Sequence, residues 1–510
     1  MNVFSVLERS ARNFGDKAAV IEPSSSTEGA PVSYRTISYT ELYVLACSFS
    51  GELKLCGVKK KDRVAVFLTN SVRYPIVNYA AWRIGAVPVL LSSAMKGDEL
   101  KEYVAFLKPK LVITDDELWE AASVLGGVLP IYKIGSIYGQ FHPGPAPLQD
   151  LDPSDPALIL LTSGTTGRRR GAVLTHGNVV SNINATVHHT GMTSDDVTMC
   201  FLPLFHCFGQ NFIMNATFNA GATLVLHQRF NPPEILKSLQ DNQVSMFFHV
   251  PVGYEKLLQV GDTKSFNSVR YFLSAGAPLS PETARAWHEK FDRIIHIGYG
   301  ETESTPFATY NADVKSGYRY DSVGEPIENV EVRLVDKTGR RITQDGKRGE
   351  VIIRGPNVFQ GYFRDPKATR ETIRSGWLYT GDVGVFDKSH LRIIDRQDDM
   401  MKVSGFAVWP KEIEDVMLRY FGDQIREIAV VGCPDRDKGE IPYAFVVRSD
   451  ETLTEEDMMR MSHEKLPGYS TIRRVRFMDQ LPKSAKGMVL KHELRKLIDL
   501  PSDIAKEQGA

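Results

Sequence analysis

The run LTSGTTGRRRGAVLTHGN, Leu161 to Asn178, carries hydroxyls, glycines and arginines in a pattern that suits a polyphosphate. Gly164 and Gly167 let backbone N–H groups and the side chains of Thr162, Ser163, Thr165 and Thr166 close on phosphate oxygens. Arg168, Arg169 and Arg170 add cationic donors. No GK[ST] follows at the spacing a Walker A loop requires, so the loop is of another kind. It follows a hydrophobic run and precedes a helix that His176–Asn178 opens, a strand–loop–helix context. A second stretch raises a sharper question. LPKSAKGMVLK (481–491) places Lys483, Lys486 and Lys491 around a Pro/Gly turn, with apolar Met488 directly after Gly487. Val489, Leu490 and Leu494 open a helix behind it. Read locally, it is either a solvated basic turn or a loop in which one lysine does chemistry.

Elements that could hold such residues alternate along the chain. RVAVFL (63–68), GAVPVLLS (85–92), KLVITD (110–115), LILLTSG (158–164), ATLVLH (222–227), SMFFHV (245–250), RYFLSAG (270–276) and RIIHIGYG (293–300) are strand-like. Amphipathic segments such as Pro232–Asn242 and Pro281–Phe291 lie between them, which predicts an α/β architecture of sheets covered by helices. From about 320 to 395 the texture changes to short strands with Gly-rich turns, a small β-barrel-like subdomain. After DRQDD (395–399) a separate α+β unit begins with AVWPKEIEDVMLRYF, REIAVVG and PYAFVVR and ends on a helix near 488–498. The expected division is an N-terminal core over 1–397 and a small mobile domain over 398–510. There is no internal repeat.

Composition excludes several roles. At 510 residues, 42% hydrophobic and 24% charged, the chain has the makeup of a globular protein of more than one domain. Lys+Arg 61 against Asp+Glu 62 leaves a net charge of -1, so no global basic field gathers nucleic acid. Cys47, Cys56, Cys200, Cys207 and Cys433 form no CxxC pair and are odd in number, which reads as reduced thiols in the cytoplasm. No stretch of 18 apolar residues occurs, and the N-terminus, MNVFSVLERSARNFG, reads as an amphipathic helix without the pattern of a leader. The expectation is a soluble protein whose oligomeric state the sequence does not specify.

Six motifs, in order, resemble those of the adenylate-forming superfamily of acyl-CoA synthetases, aryl-CoA ligases, luciferases and peptide-synthetase adenylation domains. They are the loop above, LPLFHCFGQN (202–211), SAGAPL (274–279), GYGETE (298–303), WLYTGD (377–382) and DRQDDMMKVSGFAVWPKEIED (395–415). The resemblance implies activation of a carboxylate by ATP to an acyl-adenylate with release of pyrophosphate, then transfer of the acyl group to a thiol. It implies ATP, Mg2+ and coenzyme A. Glu303, with Thr162, matches the Mg2+-associated position, and Thr302 the hydroxyl on the α-phosphate. Tyr299, beside Gly300, resembles the aromatic that stacks on adenine, with Gly276, Ala277 and Pro278 on the other side. Asp382 is similar to the carboxylate that accepts both ribose hydroxyls. Arg396 resembles the contact to ribose and phosphate, with Ile394 near it. Arg170 stands where the phosphate loop usually ends in PKG, and Asp398 matches the hinge. The Ser404–Gly405–Phe406 turn is similar to the loop lining the pantetheine tunnel.

His206 stands where amino-acid-activating relatives place an Asp for the substrate ammonium, so an amino acid substrate is not expected. Phe205, Phe208, His249 and Gly298 are the other acyl-pocket candidates. His249 would shorten or polarise that pocket if it lines it, and otherwise is a strand-end histidine bonded to backbone. The run RFNPPEILKSLQDNQVSMFFHVPVGYEKLL looks most like bacterial medium- and long-chain fatty acyl-CoA synthetases, with coumarate-type aryl ligases, which share LPLFH and SAGAPL, as the alternative. GEVIIRGPNVFQGYF lacks the insertion of ligases that load acyl carrier proteins, which favours CoA as acceptor over a carrier protein.

The family ends on a pattern like PKTxxGK, whose last lysine enters the site for adenylation. LPKSAKGMVLKHELR aligns without gaps and puts Met488 there. A thioether carries no charge and no proton to donate. Three readings follow: a chain impaired in adenylation by substitution, a shifted loop in which Lys486 substitutes, or a natural protein that has lost the step.

Overall fold

A computed structural model describes residues 2–24, 33–135, 144–162, 170–312, 318–483 and 488–498. The chain divides into two compact units, Met1–Val332 with Ile353–Tyr379, and Arg333–Ile352 with Thr380–Ala510. Among the described residues no helix is long and apolar enough to cross a membrane.

The first unit holds a nine-stranded and a seven-stranded sheet, both mixed. Their central strands are predominantly apolar because both faces are covered. Val87–Leu90, Leu111–Thr114, Met246–His249 and Tyr271–Ser274 are buried at every position. In the nine-stranded sheet, Val197–Cys200, Met246–His249, Tyr271–Ser274 and Ile295–Tyr299 run parallel as neighbours, with His249 opposite Ser274 and Ser274 opposite Ile297. Their carboxyl ends therefore deliver residues 201–206, His249, 275–278 and 299–303 to one edge of the sheet, where open α/β sheets bind ligands.

The phosphate-loop context differs from the expected strand–loop–helix. Pro156–Thr162 pairs antiparallel with a further strand, Arg170–Thr175, with Thr162 opposite Arg170. The β-branched and apolar GAVLT is long enough to pair back before the helix begins. The helix His176–Thr190 then opens as expected, with Thr175 as N-cap in a reciprocal capping box with Asn178. A second difference lies in the Gly-rich region: Gly361–Tyr362 leaves the small β subdomain and adds a strand to the seven-stranded sheet beside Arg170–Thr175.

The second unit is built on the long antiparallel pair Ile425–Asp435 and Gly439–Arg448. The period-2 alternation of the first strand splits its core in two. Ile428 and Val430 face the helices Pro410–Phe421 and Glu455–Lys465, while Ala429, Val431 and Cys433 face the C-terminal helix through Leu494. That last helix spans only Lys491–Lys496, shorter than the sequence suggests, because Val489 bridges back to Lys483 as an extended residue.

Candidate active site

Glu303 sits in a single 3-10 turn, Thr302–Ser304, directly after the strand Ile295–Tyr299. The turn is tied from several sides. Glu301 N donates to Ser304 Oγ at 2.8 Å, and Asn357 Nδ2 donates to the carbonyls of Ser304 and Phe307, each at 3.0 Å. Phe359 N donates to the Glu303 carbonyl at 2.9 Å. Gly300 admits the tight approach below it, since a Cβ there would lie 1.9 Å from the Pro306 oxygen. Glu303 is 9% exposed and its Oε1 accepts from the Tyr362 hydroxyl at 2.8 Å. Burial and that carboxylate hold the Tyr362 phenol well above its ordinary pKa, so it is the donor. The Arg170 guanidinium lies 5.3 Å from the centroid of the Tyr362 ring and pairs with Asp365 at 3.6 Å. Asn357 and Tyr362 are not recognisable from the sequence, because nothing local in GPNVFQGY marks a residue that reaches Glu303.

Around this turn, Tyr299 and Thr302 are half-buried, Gly276 and Pro278 exposed, and Ala277 between. Gly276 takes φ +82, a left-handed conformation that suits glycine. These residues leave the ends of two neighbouring strands. Thr162 closes its own strand, its hydroxyl 3.4 Å from the Arg170 carbonyl. Ser163, Gly164, Thr165, Thr166, Gly167 and Lys486 lie outside the described residues.

The acyl-pocket candidates form an aromatic wall. The Phe205 and His206 rings are 4.5 Å apart, and Phe212 packs edge-on to Phe208, Phe248 and Phe307 at 5.4, 5.8 and 5.1 Å. Gly298 keeps the Phe307 ring at ordinary contact distance, 3.5 Å from where a Cβ would stand. His249 is enclosed rather than open: its ring lies 4.4 Å from Phe230 and 4.6 Å from Phe201, and a Cβ on Gly253 would strike it at 2.0 Å. Its Nδ1 accepts from Val250 N at 2.8 Å, and burial pushes its pKa down to about 3, so the ring is neutral.

In the second unit, Asp382 is buried opposite Arg396, with Arg396 Nη1 3.4 Å from Asp382 Oδ1. Asp382 N donates to Thr380 Oγ1 at 3.0 Å, which fixes the carboxylate's base. Ile394 is the extra residue at a bulge in this hairpin, between the Val383–Asp395 and Gly384–Ile393 pairs. Asp398 is exposed in the 3-10 turn Gln397–Asp399. Ser404 and Gly405 form a two-residue turn at φ +49 and +84, and Phe406 beyond it is 54% exposed and stacked on Tyr469 at 4.5 Å. Met488 is half-buried. Its neighbouring cations are engaged: Lys483 pairs with Glu427 at 2.7 Å, and Lys491 with Glu414 at 2.9 Å.

Among the described residues no group of three or more His, Cys, Asp or Glu could hold a metal unaided. Glu303 offers one hard carboxylate oxygen beyond the one Tyr362 engages. That fits Mg2+, which keeps most of its shell as water and phosphate oxygen and takes one or two carboxylates from protein.

Residues 7–363 match the model of the AMP-binding enzyme family, and residues 412–488 that of the AMP-binding enzyme C-terminal domain. The chain is 31% identical to 4-coumarate–CoA ligase-like 4 of Oryza sativa subsp. japonica, over 91% of this chain and 88% of that protein. It is 31% identical to the long-chain-fatty-acid–CoA ligase of Escherichia coli, over 86% of each. The crystal structure of ATP-bound MatB from Rhodopseudomonas palustris superposes with a TM-score of 0.89 at 30% identity, covering 98% of this chain and 99% of that one. With the sheet edge, the buried carboxylate and both family matches in agreement, the chain belongs to the AMP-binding enzyme family, adenylate-forming acid–thiol ligases that use ATP and CoA.

Proposed function

We propose that the protein activates a hydrophobic carboxylic acid, with medium- and long-chain fatty acids as the first class, and passes the acyl group to CoA. The observation that carries this is the segment from Leu202 to Asn215. It contains no Asp or Glu to meet an ammonium, and it lays Phe212, itself packed on Phe208, against Phe248 and Phe307. An aromatic acid is the second reading, favoured by the coumarate-type relative. The five free cysteines support a reducing cytoplasmic setting.

The first half-reaction joins two anions, so orientation and charge neutralisation dominate it. Mg2+, when bound, supplies charge to the phosphates. Glu303 would hold that ion, with Thr162 as the second contact, and Thr302 would donate to the α-phosphate. Ser163 to Gly167 and Arg170 embrace the β- and γ-phosphates. Tyr299 stacks on adenine against Gly276, Ala277 and Pro278, while Asp382 accepts the ribose hydroxyls and Arg396, beside Ile394, donates to ribose. His206 with Phe205, Phe208 and Gly298 shape the acyl side, while His249, enclosed by Phe201 and Phe230, supports it from behind. For the second half-reaction the C-terminal domain turns about Asp398, and Ser404–Gly405–Phe406 line the path of the thiol.

Incubation with ATP, Mg2+ and a mixture of fatty, aromatic and amino acids, followed by mass spectrometry of the retained adenylate, should recover a fatty acyl-adenylate. Recovery of only an aromatic or aminoacyl adenylate would overturn the substrate class. Asp382→Ala should weaken ATP binding by about 1.5–3 kcal/mol, the loss of a charged acceptor. Its partner Arg396 is 45% exposed, so no buried cation is stranded. Unchanged ATP affinity by calorimetry contradicts the ribose role.

A further inference from the structure

We propose that Tyr362 is the positioning residue for the metal carboxylate: its phenol holds Glu303 Oε1 and leaves Oε2 facing the cation. This rests on the reading of Glu303 as the Mg2+-associated group. The hydroxyl donates at 2.8 Å, and no other side chain among the described residues bonds to that carboxylate. A carboxylate anchored at one oxygen presents the other at a defined angle, which suits the strict geometry of Mg2+ better than a freely rotating group.

Tyr362 is itself held from every side, as a positioning residue must be. Its N–H donates to Thr369 Oγ1 at 2.9 Å, and Thr369 in turn donates to the Asp365 carbonyl at 2.8 Å. Strand pairing sets Tyr362 opposite Ala172. Gly361, at φ +140, lets Thr369 come close, since a Cβ there would lie 2.6 Å from the threonine methyl. Phe359 packs on the edge of the ring at 4.9 Å, and the Arg170 guanidinium lies 5.3 Å from its centroid. The ring thus links the end of the phosphate loop, at Arg170, to the carboxylate of a different sheet. Any shift of Arg170 on engaging phosphate acts on the same ring that orients Glu303.

A purely structural tyrosine and a positioning tyrosine differ in metal dependence. ATP affinity is measured by calorimetry in saturating Mg2+ and in excess chelator for the parent, Tyr362→Phe, Glu303→Gln and the double variant. Tyr362→Phe should weaken binding about tenfold with Mg2+, the effect of one hydrogen bond to a charged group, and leave metal-free binding unchanged. The double variant should bind no more weakly than Glu303→Gln, because the phenol acts only through that carboxylate. Equal loss with and without Mg2+, no loss in either, or additive losses in the double variant would overturn the assignment. If Glu303→Gln itself shows no metal-dependent loss, the metal reading of Glu303 fails and Tyr362 goes with it. If Glu303→Gln shows the loss and Tyr362→Phe does not, only the Tyr362 assignment fails.

Discussion

Met488→Lys should raise pyrophosphate exchange by about two orders of magnitude while leaving transfer of a supplied acyl-adenylate to CoA at the parent rate. The gain corresponds to one oriented cationic contact in the adenylation step, roughly 3 kcal/mol. Met and Lys have unbranched stems of similar reach, and position 488 is half-buried, so the new ammonium can leave its stem in place and extend outward. The flanking cations do not supply the contact. Lys483 is paired with Glu427 and Lys491 with Glu414, and either would have to break its ion pair to serve. Lys486 is the remaining candidate in the loop, and Lys486→Ala in the parent background decides its role. The proposal expects slow exchange in the parent and little further loss in that variant. Fast parent exchange that Lys486→Ala abolishes, with no gain from Met488→Lys, means that the loop is shifted and Lys486 is the adenylation lysine.

Much of this fold is legible because its central strands are buried on both faces and read as unbroken apolar runs of strand length, as in RVAVFL and SMFFHV. Boundaries fail where short segments choose between partners. Nothing in GAVLT distinguishes a strand pairing back on LILLT from the first turn of the following helix, because its apolar residues suit either. Gly361–Tyr362 changes sheet for the same kind of reason: two residues carry too little pattern to announce a partner. The candidate site shows the same division. Glu303 and Asp382 stand out because they sit in compact motifs of unusual composition. Tyr362 and Asn357 act on the Glu303 turn across more than fifty residues of chain, with hydrogen bonds at |i−j| of 59 and 53. A single tyrosine after a glycine carries no sign of such a partner. His249 is legible as a residue out of place, but its enclosure by Phe201 and Phe230 depends on strand order.

Lys491→Met should destabilise the second unit by about 3–5 kcal/mol, the cost of removing one member of a buried ion pair. Lys491 reaches Glu414 Oε1 at 2.9 Å with only 15% and 8% of the two side chains exposed, and Val430 N donates to the same carboxylate at 2.9 Å. Burial acts to lower the Lys491 pKa, but Glu414, Asp395 and Asp399 together outweigh it and raise the value above the ordinary 10.5. A raised cationic pKa contributes stability that is fully present below the unfolded value and is lost only as pH climbs through the folded one. The difference between parent and Lys491→Met should therefore hold constant from pH 6 to pH 9 and shrink only in strong alkali. Denaturant unfolding at several pH values measures it. The partner change Glu414→Gln in the Lys491→Met background should recover most of the lost stability, since it removes the stranded charge. That double variant also separates structure from chemistry. If Lys491 only anchors the helix behind the Met488 loop, the restabilised protein should exchange pyrophosphate at the parent rate. A stable double variant with exchange abolished would make Lys491 the adenylation cation after all, and its ion pair with Glu414 the resting arrangement of a lysine that moves.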